Sequence, residues 1–485
     1  MRLRVGWLGA LLLLCGAARA ESPSALDLAV AANRGPGPDL DARTQDGLAA
    51  VLRDKGRARE RVAQRIARLR FERGGGAHAR LTDRADLQGR LAILSIRGPG
   101  ETPSALFERR RAFLRTQIAW LTQLIDREAG PDAPDVVDVA QVQAALPEGA
   151  ALFELASYHA PDAGRRYAAY VLERTGAPVF VDLGPAEPIE VAADHLRAAA
   201  RDAGRSDVPQ QARALADLLI APVWPSLGRT KRWIIAPDGP LHLVPFEMLV
   251  DPEGRWLDDE VTLSYVSAGR GLPALADRVE AGGPPVIVAD PSFDLTPDGE
   301  APAPRADDRV GVDLSGLRFP RLPATAHEAA AVAAWLPHAR TLLGAAATEA
   351  AVKGLRAPVV LHLATHGYFL GAAGPAAGQP GERGMHFAGA GPAPEALEPG
   401  LAALVSAGLA LAGANGSNAA AGDGILTALE ASALDLQGTG LVVLSACETG
   451  LGQPEVGEGV VGFRQALAFA GAQSQILTLW KVDDA

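Results

Sequence analysis

Apolar positions recur along this chain with two different periods, and the change from one to the other divides it. Leu106, Phe107, Phe113, Leu114, Ile118, Leu121 and Ile125 return every three or four residues, which is the spacing of one helix face. Thr102–Pro103 offers a cap and a proline at the first helical position, and Gly130–Pro131 ends the run. Val51–Arg73 also reads as helix, mostly charged, with a thin stripe of Val62, Ile66 and Leu69. A helical hairpin or short coiled coil is therefore expected over residues 21–135. The sequence has no 34-residue period, so tandem helical repeats are not expected.

Beyond Asp135 the runs shorten and become strand-like. Ala151–Ser157, Tyr167–Leu172 and Val179–Leu183 are separated by turn signals at Pro161–Gly164 and Thr175–Gly176. From Trp233 onward apolar runs alternate with helical patterns, which predicts a parallel α/β sheet. Its expected strands are Trp233–Ala236, Val286–Ala289, Val359–Ala364, Leu441–Ala446 and Ile476–Trp480. Helices are expected at His327–Leu336, Thr348–Leu355 with Thr348 as N-cap, Leu426–Leu434 and Gly459–Ala470. Residues 371–400, rich in Gly, Ala and Pro, read as a long loop beside the Val359–Ala364 strand.

Composition adds three constraints. A length of 485 residues accommodates two or three domains, and 48% hydrophobic residues with only 5% aromatics leave packing to Ala, Val and Leu. The net charge of −11 argues against nucleic acid as a partner, because phosphate binding needs surplus positive charge. Met1–Ala20 has a secretory layout, with Arg2 and Arg4, an apolar Trp7–Cys15 and the small-x-small site Ala18–Arg19–Ala20. That apolar stretch falls well short of the ~20 residues of a spanning helix. Leu14 stands where a lipid-attachment site at Cys15 wants a small residue. The expectation is a signal peptide over 1–20 and an exported protein, periplasmic or secreted, with no membrane span after cleavage.

Cleavage would remove Cys15 and leave Cys447 as the one thiol, unable to form an internal disulfide. Cys447 ends the apolar run Leu441–Ala446, and His366 follows Val359–Ala364 in the same way. In a doubly wound sheet, ligands bind outside the carboxyl ends of the strands. A thiol of pKa near ~8.5 needs a neighbouring imidazole to become a nucleophile. Small residues at Gly367 and Ala446 admit a substrate backbone, and the backbone N–H groups of Gly367 and Cys447 would form an oxyanion hole. Glu448 would raise the thiol pKa and receives no role.

Blander readings exist for each residue. A free cysteine is often a small buried hydrophobe, and His366 could be an ordinary loop residue. His362 lies between Leu361 and Leu363 and reads as a packed histidine or one that supports a site residue from behind. A metal site of His362, His366 and Cys447 is disfavoured because i,i+4 spacing unites ligands on helices, not strands; neither metal nor cofactor is expected. A thiol redox sensor lacks a resolving cysteine.

Taken in order, the motifs are Leu146–Pro147–Glu148, Val181–Asp182–Leu183–Gly184, Ile235–His242, Pro245–Phe246–Glu247, Ala289–Asp290–Pro291, Leu322–Pro323 with Glu328, and Ala347–Thr348–Glu349. His362, His366–Gly367, Asp423–Ala428, Leu444–Gly450, Gly457–Val460 and Leu479–Asp484 complete the series. Together they resemble the CHAT domain, a caspase-like module of the caspase and separase clan. The resemblance implies an α/β fold with a caspase-like, mainly parallel sheet and flanking helices over 137–485, preceded by the helical region. It implies a cysteine endopeptidase with His366 as general base and Cys447 as nucleophile, acting on protein or peptide substrates through a thioester acyl-enzyme.

Family members are in some cases activated by a partner, for which the N-terminal helices are the candidate surface here. Pro237–Asp238–Gly239 reads as a structural turn. Asp423 reads either as lining the substrate pocket or as the cap of the following helix. The chain stops at Ala485, where the family usually continues, so a domain truncated at its C-terminus is expected. The alternative to a peptidase is then an inactive interaction or scaffold module.

Overall fold

The computed structural model describes residues 24–34, 39–71, 75–97, 103–129, 137–276, 280–295, 319–369, 403–405, 407–416, 424–446, 450 and 452–480. The expected signal peptide, Asp423 and Cys447 lie outside the described residues.

Helices dominate the N-terminal region: Ala25–Ala31, Leu40–Asp54, Arg57–Phe71, Gly75–Arg97 and Ser104–Ala129. The last of these buries Phe107, Leu114, Ile118, Leu121 and Ile125, while Leu106 and Phe113 face outward. The two longest helices form a hairpin in which Leu91 meets Leu114 and Ile118. The predicted stripe of Ile66 and Leu69, with Val62 beside it, packs on Ile125 and on Phe469 of a distant helix. Val51–Arg73 is interrupted at Lys55–Gly56, where Gly56 takes a positive φ of 72° that other residues resist.

A first, mixed sheet follows. Its strands are β1 (Ala150–Ala160), β2 (Gly164–Glu173), β3 (Val179–Pro185), β4 (Arg232–Ala236) and β5 (Thr262–Tyr265), in the order β3-β2-β1-β4-β5. Central β1 runs antiparallel to β2 and parallel to β4. Alternation along β1 sends Ala151, Phe153 and Leu155 to one core, under helices Ala186–Ala200 and Val208–Leu219. Leu152, Ala156 and Tyr158 point the other way, onto Leu48, Val51 and Leu52 of the N-terminal helices. Both faces of the sheet are covered.

The second sheet is parallel throughout. It consists of β6 (Val286–Pro291), β7 (Arg340–Gly344), β8 (Val360–Ala364), β12 (Leu441–Ser445) and β15 (Gln475–Leu477), ordered β15-β12-β8-β6-β7. Between β8 and β12 come β9 (Gly367–Phe369), β10 (Ala407–Ala410) and β11 (Ile425–Thr427), a small antiparallel sheet ordered β11-β10-β9. β13 (Gln453–Glu455) and β14 (Gly459–Val461) form a hairpin after β12. The near-continuous apolar runs of β6, β8 and β12 are what a parallel sheet covered on both faces requires. Val288, Leu361, Leu363, Val442 and Leu444 enter the main core, with Leu409, Leu426, Phe463 and Leu467. Ile287, Ala289 and Ala364 lie under helix Pro323–Trp335.

The α/β class with a preceding helical region is as expected, but the strand grouping is not. By the sequence pattern, Trp233–Ala236 is expected with Val286–Ala289 in one parallel sheet. It is instead β4, seated beside β1, where Trp233 meets Phe153 edge-to-face with ring centroids 6.5 Å apart. Gly459–Ala470, expected to be one helix, is strand β14 followed by helix Phe463–Ala470. Thr348 caps its helix as predicted, accepting from the Ala351 N–H at 3.1 Å. Among the described residues no helix is long and apolar enough to cross a membrane.

Candidate active site

Register decides which residues meet at the open edge of the second sheet. β8 and β12 are parallel neighbours, with Leu363 opposite Leu444 and Ala364 opposite Ser445. The pairing is continued by the Thr365 N–H, which donates to the Ser445 carbonyl at 3.2 Å. His366 follows immediately on the β8 side. On the β12 side the description runs to Ala446, which is buried, and Cys447 is the next residue in sequence.

His366 is half-buried, and its ring is held from two directions. Phe293 and Phe319 lie against it with centroids 5.4 Å and 5.7 Å away. Its Nε2 is 2.8 Å from the Pro320 carbonyl oxygen. A carbonyl only accepts, so Nε2 is the protonated nitrogen, and the lone pair of the neutral ring belongs to Nδ1. Pro320 sits on a segment tied down at both sides: Arg321 forms a two-pronged ion pair with Asp290 at the end of β6, at 3.0 Å and 2.7 Å. Thr325 Oγ1 accepts from the Asp290 N–H and donates to the Leu322 carbonyl. Asp290 itself adopts a positive φ of 42°.

Gly367 opens β9. The Ala410 N–H donates to the His366 carbonyl, which makes 366 and 410 a hydrogen-bonded pair. The adjoining pair, Gly367 with Leu409, is then of the non-bonded kind, and the Gly367 N–H is directed away from β10. Thr365 secures this junction by donating its hydroxyl to the Ala410 carbonyl at 2.5 Å.

Two carboxylates organise the surroundings. Glu328, on helix Pro323–Trp335, reaches His362 Nε2 with Oε1 at 2.8 Å and accepts from the Ser445 hydroxyl with Oε2 at 3.1 Å. The hydrogen bond from His362 holds the Glu328 carboxyl below its usual range. The buried His362 is therefore a packed residue with a partner, as its apolar neighbours suggested. Asp238, in the predicted Pro237–Asp238–Gly239 turn, is also buried. It accepts from the Gly239 and Ser157 N–H groups and, at 2.7 Å, from the Gly457 N–H in the β13–β14 hairpin.

That hairpin is further held by the N-terminal helices. The Gly56 N–H donates to the Gly457 carbonyl at 2.6 Å, and the Arg59 guanidinium to the Glu458 carbonyl. Arg464 donates to the His242 carbonyl at 2.9 Å and more loosely, at 3.4 Å, to the Gly450 carbonyl. Burial lowers Arg59 to about 10. His242 is buried, and among the described residues its Nε2 has no hydrogen-bond partner. Burial first, then Lys55, Arg464 and Arg59, push its pKa well below the ordinary value, so the ring stays neutral. Lys55 is satisfied by the buried Glu154 at 2.6 Å and by the Leu155 and Ala236 carbonyls.

Helix Ala428–Ala431 is capped by Thr427, which forms a capping box with Glu430. The cap expected from Asp423 is thus supplied four residues later. No group of three or more His, Cys, Asp or Glu suited to a metal occurs among the described residues.

A family model for the CHAT domain matches residues 209–485, more than half of the chain. The match covers His366 and Cys447 as well as Asp238, Glu328 and His362. No curated protein matches the chain.

Proposed function

This chain belongs to the CHAT domain family, of caspase-like cysteine-peptidase type, and from that premise we propose that it is an exported cysteine endopeptidase working through His366 and Cys447. The observation that carries the reading is the Pro320 carbonyl on His366 Nε2. It makes Nε2 the donor, which supports reading Nδ1 as the base, on a strand end in parallel register with the strand that leads to Cys447.

In the proposed cycle Nδ1 takes the thiol proton and the thiolate sulfur attacks the scissile carbonyl carbon. The carbonyl π electrons move to oxygen, where the Gly367 and Cys447 N–H groups stabilise the oxyanion. Collapse breaks the C–N bond, and the imidazolium returns its proton to the departing amine. Water, deprotonated by the same nitrogen, then attacks the thioester, releasing the acid and regenerating the thiol. The buried, apolar setting of Ala364 and Ala446 beneath the reacting groups limits water access from within the sheet. A carbonyl partner for the imidazolium offsets part of its charge without competing for the thiol proton. Proteins or peptides are the proposed substrates, and the N-terminal helices the proposed surface for an activating protein.

The test is to profile a peptide library with the full chain, Cys447→Ala and His366→Ala. Loss of every cleavage with either substitution is the expected result; cleavage that survives both would refute the dyad. Alkylation by iodoacetamide across pH gives an independent check. An apparent thiol pKa well below ~8.5 that rises in His366→Ala is expected, and an unreactive Cys447 would contradict the proposal.

A further inference from the structure

Glu328 connects the two strands whose ends the proposed chemistry needs side by side. Period-two alternation puts His362 on β8 and Ser445 on β12 on one sheet face, the face covered by helix Pro323–Trp335. His362 stands opposite Val443, and Ser445 opposite Ala364, so the imidazole and the hydroxyl form a diagonal pair. The Glu328 carboxylate takes both, one oxygen each, at 2.8 Å and 3.1 Å. Three elements are thereby locked by one side chain.

The helix end that this lock secures leads directly to Pro320. Thr325, Arg321 and Asp290 fix the intervening turn to β6. Glu328 fixes the next helical turn to β8 and β12. The Pro320 carbonyl therefore stands at a height over His366 set from both sides, while the same carboxylate limits sliding of β12 against β8. We infer that Glu328 is a positioning residue for the His366–Cys447 pair, acting through His362, Ser445 and the helix that carries it. The inference rests on the peptidase reading above.

Chemistry separates this role from a simple contribution to stability. Glu328→Gln keeps the shape but offers one acceptor and one donor where the carboxylate offers two acceptors, so one partner must reverse its hydrogen bond. Glu328→Ala removes both bonds, and Ser445→Ala removes one while leaving the helix docked through His362. A misplacement near 1 Å at a reacting group costs up to roughly a hundredfold in rate.

The experiment measures kcat and KM on a cleaved peptide, together with the iodoacetamide rate at Cys447 by mass spectrometry. The variants are Glu328→Gln, Glu328→Ala, Ser445→Ala and Glu328→Ala/Ser445→Ala, each shown to be folded by circular dichroism. The expected result is a fall in kcat of roughly ten- to a hundredfold for Glu328→Ala with KM essentially unchanged, matched by slower alkylation. Glu328→Gln should fall between it and wild type, and the double variant should match Glu328→Ala. If Glu328→Ala does not fold, Glu328→Gln and Ser445→Ala carry the same comparison. Wild-type kcat and alkylation in the folded variants, with His366→Ala inactive, would overturn the inference and leave the dyad standing. Full activity of His366→Ala would instead overturn the dyad.

Discussion

Acidification should destabilise this protein through His242, and the size of the effect follows from its surroundings. The ring is buried among Lys55, Arg59 and Arg464, and among the described residues no acceptor faces Nε2. In the unfolded chain the same imidazole binds a proton near pH 6.5. The unfolded state therefore holds more protons than the folded state below that pH, and stability falls as pH falls. Above about pH 7.5 neither state is protonated and the contribution is complete. Between about pH 7.5 and 5.5 the integrated loss is about 1.4 kcal/mol, approaching a slope of about 1.4 kcal/mol per pH unit below.

The nearby Glu154, Glu455 and Glu458 have carboxyl pKa values raised by burial, so their protonation favours the folded state as pH drops. They act alike in wild type and in His242→Gln, whose amide does not titrate. The assay is urea unfolding followed by tryptophan fluorescence for both proteins at the two pH values. Wild type should lose about 1.4 kcal/mol more than His242→Gln on acidification. Equal losses would show that His242 accepts its proton in the folded state, and the argument from burial and neighbouring cations would fail.

Three further outcomes are expected. Glu154→Gln should cost about 3–5 kcal/mol because it strands the buried Lys55 ammonium, whereas Lys55→Met/Glu154→Leu should recover most of that loss; urea unfolding would refute this if the double variant were no more stable than Glu154→Gln. Gly459→Ala should destabilise by roughly 1–3 kcal/mol, since the residue has φ +90° and an added Cβ would collide with the Arg59 guanidinium. Limited proteolysis should detect it as new cleavage near residues 453–461, and an unchanged digestion pattern would count against the contact. Thr427→Ala should cost about 1 kcal/mol through the lost capping box, measured as a lower thermal midpoint.

Buried strands and the residues that end them are readable in the sequence, and so is the order of motifs. β1, β6, β8 and β12 announce themselves because a strand buried on both faces is apolar at nearly every position. β5 and β7 are largely exposed, and β9 and β13 span only three residues, so none of them carries a continuous apolar run. The membership of β4 depends on Phe153, some eighty positions away, and no local pattern encodes a partner at that distance. At the site, His366 was legible as a side chain, whereas the Pro320 acceptor is a backbone atom and leaves no residue signature. Two sequence signals bear on the rest. Glu328 is the one carboxylate in the Ala-rich helix Pro323–Trp335, a polar residue placed against a sheet. The Thr427–Glu430 capping box is a recognisable T-x-x-E pattern, nearer the helix than Asp423.

The five-stranded first sheet bears on how this protein can be cut for laboratory work. The family match starts at residue 209, inside helix Val208–Leu219 and after β1, β2 and β3 have already been laid down. An expression fragment begun there would keep β4 and β5 but convert β4 from an interior strand into an open edge, exposing an unpaired backbone ladder. It would also discard Gly56 and Arg59, which donate to the Gly457 and Glu458 carbonyls of the hairpin, and Ser157, whose N–H donates to the Asp238 that holds the Gly457 N–H. The sequence similarity thus begins partway through a unit whose sheet is already under way at β1.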